Sequence, residues 1–138
     1  MTGKLLPVPT PETRTYWEKT ALGELWMPKC ETDGWIFPPR VHCPTCGSTE
    51  FDWKQLSGRG NIASFIITHR AGAGYQGEVP YFIILVDLDE GPRLVGNLYG
   101  VPVEPNAVEV GMPVEVFFEI REGIHLPQWR PVGSKVTL

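Results

Sequence analysis

A fourth cysteine is what this chain lacks. It holds three, Cys30, Cys43 and Cys46, in 138 residues. A zinc ribbon takes two ligands from each of two CxxC knuckles, so one knuckle here is incomplete. An odd count with CxxC spacing argues against a disulfide framework and predicts a reduced, cytoplasmic protein. Long apolar runs are missing too. The longest, Tyr81 to Val86, suits a buried strand and falls far short of the ~20 residues of a membrane helix. No membrane partner is expected, and the proline-broken stretch 1–11 predicts no secretory signal. A basic tract is also absent: net charge is −4, and lysines and arginines are scattered from Lys4 to Lys135. A nucleic-acid binder needs such charges clustered on one face, so no nucleic acid is expected. Finally, no nucleophile stands at a spacing that marks its base. His42, His69 and His125 are dispersed, and Asp87, Asp89 and Glu90 sit at a turn, where acids are commonly solvated. No catalytic residue is assigned.

What the chain has in plenty is punctuation. Fourteen prolines and fifteen glycines break it into short strands rather than a helical bundle. A hydrophobic content of 42% still supports a core. Thr10-Pro11-Glu12 reads as a helix start, with Tyr16, Trp17, Ala21 and Leu22 inward and an end near Gly23. Beyond residue 50 five strands are expected: 51–56, 61–69, 80–88, 93–99 and 113–120, with 121–138 as a tail. The fold class is therefore mainly β, a five-stranded barrel of OB type with an N-terminal helix and a small ribbon appendage. The chain divides into arm and helix (1–24), ribbon (25–50) and OB-fold domain with tail (51–138). Gly72-Ala73-Gly74-Tyr75-Gln76-Gly77 fits GxGxxG, but a strand follows it where a dinucleotide site requires a helix.

The ribbon carries the chemistry. Its second knuckle, Cys43-Pro44-Thr45-Cys46-Gly47, is intact; its first, Cys30-Glu31-Thr32-Asp33, offers a carboxylate in place of the fourth thiolate. Carboxylate oxygen reaches zinc about as imidazole nitrogen does, although it lowers affinity for a soft ion. Two readings stay open. In one, zinc is held by Cys30, Cys43, Cys46 and Asp33 or water. In the other, the ribbon has lost its metal and keeps its shape by packing. Five tryptophans exceed what a small barrel comfortably buries. Trp26, Trp35 and Phe37 either meet another protein or seal the ribbon onto the barrel.

Several short motifs recur in a telling order. Tyr16-Trp17-Glu18 and Gly23-Glu24-Leu25 precede Cys30; Phe37-Pro38-Pro39-Arg40 leads to the second knuckle; Ser57-Gly58-Arg59-Gly60 follows. Then come Val79-Pro80-Tyr81, the run from Val86 to Arg93, and Gly111-Met112-Pro113-Val114. In this order, over residues ~12–131, the chain resembles the OB-fold proteins with an N-terminal rubredoxin-like zinc ribbon, long catalogued as a domain of unknown function. The resemblance implies a non-catalytic accessory subunit, part of a hetero-oligomer with a thiolase-superfamily protein (thiolase, synthase or side-chain aldolase), that helps enclose an acyl-CoA. It also implies a cysteine where Asp33 stands. The contact candidates are Trp35, Phe37 and Arg40 on the ribbon hairpin and Gly58, Arg59 and Gly60 at a barrel edge. Arginine suits an interface hot spot or a CoA phosphate, and it is as often a plain surface residue. Two other classes remain: a nucleic-acid-binding OB-fold, which the charge disfavours, and a free-standing acyl-CoA hydrolase or hydratase, for which no constellation is present.

Overall fold

The alternation of apolar residues builds a closed barrel. In the computed structural model, which describes residues 3–138, the strands are β1 (Trp26–Cys30), β2 (Gly34–Trp35), β3 (Phe51–Gln55), β4 (Arg59–Thr68), β5 (Tyr81–Leu88), β6 (Arg93–Leu98), β7 (Pro113–Arg121) and β8 (Ile124–Pro131). One helix, α1, spans Arg14–Thr20. Strands β4 to β8 close in the order β4-β5-β6-β8-β7, with β7 returning to β4. A parallel contact joins β6 to β8, and every other pair in the ring is antiparallel. This is the five-stranded OB architecture expected above. Strand β5 shows how it is driven: Phe82, Ile84, Val86 and Leu88 point inward and are buried, each contributing roughly 1.5–3 kcal/mol.

The count of five strands holds, but two assignments change. Phe51–Gln55 is not a barrel strand. It pairs along its full length with β1, from Trp26↔Gln55 to Cys30↔Phe51, and makes the ribbon a three-stranded sheet of order β2-β1-β3. A two-stranded ribbon hairpin is marginal alone, and β3 supplies Phe51 to its small core and Trp53 to the main one. The fifth barrel strand is instead Ile124–Pro131, inside the expected tail. Pro127 and Pro131 disguised it. Its far side meets β6 at one register pair, Leu98↔Trp129, so most of that side requires no ladder donors, and prolines are tolerated there.

The helix is also shorter than its sequence suggests. Thr13 accepts a hydrogen bond from the Thr10 amide at 2.8 Å, and a turn closes from Thr13 N–H to Thr10 C=O at 3.1 Å. Pro11 and Glu12 therefore lie in that turn, ahead of the helix. Tyr16 and Thr20 face inward one turn apart, while Trp17 is half-buried. Ala21 and Leu22 lie past the end and are exposed. Gly23, at φ +78°, allows the reversal that lets Glu24 N–H reach Lys19 C=O.

Gly60 is required by the barrel itself. A Cβ there would collide with the Asp87 carbonyl and stand 2.8 Å from Val86 Cγ1. Backbone cannot yield as a flexible side chain can, so Gly60→Ala is expected to cost about 1–3 kcal/mol, read as a lower urea midpoint with an unchanged slope. An unchanged midpoint would show that β4 and β5 are free to separate at that point.

Candidate metal centre and exposed surfaces

Both knuckles turn by the same device. Each ends in a glycine in the left-handed region, Gly34 at φ +84° and Gly47 at φ +76°, which a side chain would strain. In the second knuckle Cys43 N–H donates to Ser48 C=O at 2.8 Å and Gly47 N–H to Cys43 C=O at 2.9 Å. In the first, the register Cys30↔Gly34 folds β1 onto β2. These turns place Cys30, Asp33, Cys43 and Cys46 with one donor atom each within 4.8 Å of one another. Cys30 Sγ lies 3.7 Å from Cys46 Sγ and 3.6 Å from Asp33 Oδ2, and Cys43 Sγ is 3.3 Å from that oxygen.

A tetrahedral zinc with bonds of about 2.3 Å to sulfur and 2.1 Å to oxygen would set sulfurs ~3.8 Å apart and sulfur to oxygen ~3.6 Å. The 3.7 Å and 3.6 Å separations match, the 3.3 Å one is slightly shorter, and all four donors lie within 4.8 Å of one another, so the set, Asp33 included, fits the ion. Glu31 and His42, the nearby spare donors, are exposed and stand outside the four-residue group. All three cysteines are free thiols.

Electrostatics prepare the cluster unevenly. The backbone amides of Asp33 and Thr32 hold the Cys30 thiol below its usual pKa. Hydrogen bonds from the Cys46 and Cys43 thiols hold the Asp33 carboxyl below the usual carboxylate range. The Ser48 amide works to lower the Cys46 thiol, but the Asp33 carboxylate, burial and the neighbouring thiols outweigh it and push it up to about 12. Four acidic groups crowded together, three thiols and a carboxyl, cannot all ionise without a cation. A dication relieves that repulsion and takes the place of the protons.

The contact candidates separate on inspection. Trp35 is half-buried against the barrel core, under Lys29 Nζ at 5.0 Å, so it helps seal the ribbon to the barrel. Phe37 is exposed beside the Tyr16 ring at 5.8 Å. Arg40 and Arg59 are exposed. Gly58 and Gly60, by contrast, are buried and offer no contact surface. Gly58 has φ +74°, and a Cβ there would stand 2.5 Å from Val116 Cγ1.

Sequence reasoning missed one surface. Ile66 and Ile83 are register partners, as are Ser64 and Leu85, and Leu85 and Val95. Ile66 and Val95 are 57% and 63% exposed, and Ile83 and Leu85 are half-buried beside them. The outer side of β4-β5-β6 is thus apolar across three strands. The signal was the unbroken run Tyr81 to Val86: a strand wetted on one face should alternate.

Two family profiles match in succession: the ChsH2 rubredoxin-like zinc ribbon domain over residues 17–52 and the ChsH2 C-terminal OB-fold domain over residues 53–119. A DUF35 domain-containing scaffold protein of Pyrococcus furiosus is 39% identical over 95 residues, 68% of this chain and 68% of that protein. A probable enoyl-CoA hydratase alpha subunit of Thermomonospora curvata is 40% identical over 95 residues; the match covers 68% of this chain but only 29% of that relative's length. The benzoylsuccinyl-CoA thiolase subunit BbsA of Thauera aromatica is 31% identical over 104 residues, covering 74% and 71%. Among solved structures, a chain of the Ltp2-ChsH2(DUF35) aldolase superposes with a TM-score of 0.79 and 33% identity, covering 91% of this chain and 98% of that one.

Proposed function

This chain belongs to the family that joins a ChsH2 rubredoxin-like zinc ribbon to a ChsH2 OB-fold domain, and from that premise we propose that it is a non-catalytic accessory subunit docking on a thiolase-superfamily enzyme and helping to enclose its acyl-CoA. The observation that carries the reading is the apolar outer face of Ile66, Ile83, Leu85 and Val95. An exposed apolar face of this kind is what a protein partner covers. The relatives named as a thiolase subunit and an aldolase complex supply the kind of partner. A hydratase activity does not carry over from the hydratase relative, because the match spans under a third of it.

In this reading zinc is held by Cys30, Cys43, Cys46 and Asp33. The bound ion acts as a staple between the knuckles; it carries no redox step. The chain's own residues do the rest. Gly34 and Gly47 shape the turns, and β1 and β3 fix the ribbon to the barrel, which holds Phe37 and Arg40 at a constant position relative to the apolar face.

Co-expression with the thiolase-superfamily proteins of its source, followed by size-exclusion chromatography, tests the proposal. A stable hetero-oligomer is expected. Val95→Asp or Ile66→Asp should weaken it by at least about tenfold, as loss of a hot spot does, with the isolated subunit still folded. Arg40→Ala should have a smaller effect. A protein that stays monomeric with every such partner, yet converts an acyl-CoA unaided, would refute this reading.

A further inference from the structure

A cavity of about 500 Å³ opens at one end of the barrel, where β5 begins and β6 and β7 end. Its apolar wall is built by Leu98, Val101, Val103 and Ile120. Leu98 is buried at the base, and Ile120 is 63% exposed at the rim. The volume lies within the ~300–1,000 Å³ of small-molecule sites.

Three charged groups also line it, and each is committed elsewhere. Lys4 Nζ pairs with Glu78 Oε2 at 2.5 Å. Glu119 accepts from Arg121 Nε at 3.0 Å and from Gln128 Nε2 at 2.9 Å. The wall therefore presents ion pairs, not an uncompensated charge. A phosphate or free carboxylate entering here would meet two carboxylates and no spare cation. Tyr99 adds an uncharged polar group to this lining. Burial, with Glu119 and Glu78 adding to it, raises its pKa to about 12, so it stays a neutral donor.

We propose that this cavity binds an uncharged, mainly apolar ligand bearing an oxygen that accepts from Tyr99, and that in the assembly it takes the acyl end of the thioester, not the nucleotide end. The second half rests on the accessory-subunit reading; the first does not. Apolar burial supplies the affinity, and the Tyr99 hydroxyl orients a carbonyl.

The test is a methyl-resolved NMR titration of the isolated protein with octanoyl-N-acetylcysteamine, an uncharged thioester, with free CoA as the charged comparison. Saturable shifts are expected at the Val101, Val103 and Ile120 methyls, and none there from CoA. Ile120→Trp, at an exposed wall position, should abolish them, and Tyr99→Phe should weaken binding about fivefold. The site is refuted if those methyls do not respond, if CoA shifts them equally, or if Ile120→Trp binds unchanged. Such failure with the hetero-oligomer still forming would remove the cavity alone. Binding intact without any hetero-oligomer would remove the accessory reading and with it the assignment to the acyl end, leaving the site itself.

Discussion

Cys43→Ser is expected to leave the chain without metal and to loosen the knuckles while the barrel stays folded. The wild-type protein should carry near one zinc per chain, and the variant close to none, by metal analysis. The magnitude follows from what else holds the ribbon tip. Its private core is Cys30, Ile36 and Cys43 with Phe51 against them. Ile36 and Phe51 contribute at most ~1.5–3 kcal/mol each, against roughly 1–2 kcal/mol of backbone entropy for every residue ordered between 30 and 50. A structural zinc supplies about 10–16 kcal/mol, and the ion decides the balance. Strands β1 and β3 should survive its loss, because Met27 and Trp53 belong to the main core. Amide exchange should therefore accelerate at residues 30–50 and hold steady in β4–β8. Affinity should fall with pH, since binding displaces thiol protons: the Cys46 proton, held until about 12 in the empty cluster, must leave. Asp33→Cys should shift zinc toward the protein in competition with a chelator, a thiolate being the softer donor. If the wild-type chain purifies metal-free and Cys43→Ser leaves exchange at the knuckles unaltered, packing alone holds the ribbon.

Local chemistry was legible in the sequence wherever residue type and spacing fix geometry. The knuckle spacing placed Cys30, Asp33, Cys43 and Cys46 together, and the structure brings them within bonding range of one ion. The strand 80–88, with its unbroken apolar run, was equally plain. Long-range pairing was not. Phe51–Gln55 reads as a strand in either sheet, and only its partner β1, more than twenty residues earlier, assigns it to the ribbon. Ile124–Pro131 was hidden because proline propensity speaks against a strand, while the partly open side of the barrel makes proline harmless there. Gly58 and Gly60 were read as surface because glycine has no side chain to betray burial; Gly60 lets backbone approach the Asp87 carbonyl, and Gly58 takes a positive φ against the Val116 side chain. The face of Ile66, Ile83, Leu85 and Val95 combines three strands and exists only after the barrel closes.

Trp129→Ala is expected to be the most damaging single change in the barrel. The side chain is fully buried and sits where β8 meets β6, at the one register pair joining them. Tyr99 N–H donates to the Trp129 carbonyl at 2.9 Å beside it. Gly96 on β6 leaves room for the indole: a Cβ there would stand 2.8 Å from Trp129 Cδ1 and 2.9 Å from Nε1. Truncation to alanine should cost about 3–5 kcal/mol, a large part of the ~5–15 kcal/mol that keeps a domain folded. Phenylalanine should cost distinctly less than volume alone implies. Trp129 Nε1 is buried with no partner among the described residues, so Phe also removes an unsatisfied donor. Gly96→Ala should destabilise by the reverse route, pressing on an indole held on every side. Urea midpoints with unchanged slopes measure all three. A loss below about 1 kcal/mol for Trp129→Ala would mean that the junction is held by polar bridging instead. The bridge is at hand: Gln128 Oε1 accepts from Asn97 N–H at 2.8 Å, and Asn97 Nδ2 donates to Phe82 C=O at 2.8 Å. In that case Gln128→Ala would become the more damaging change, and the order of the two variants decides which contact closes the barrel.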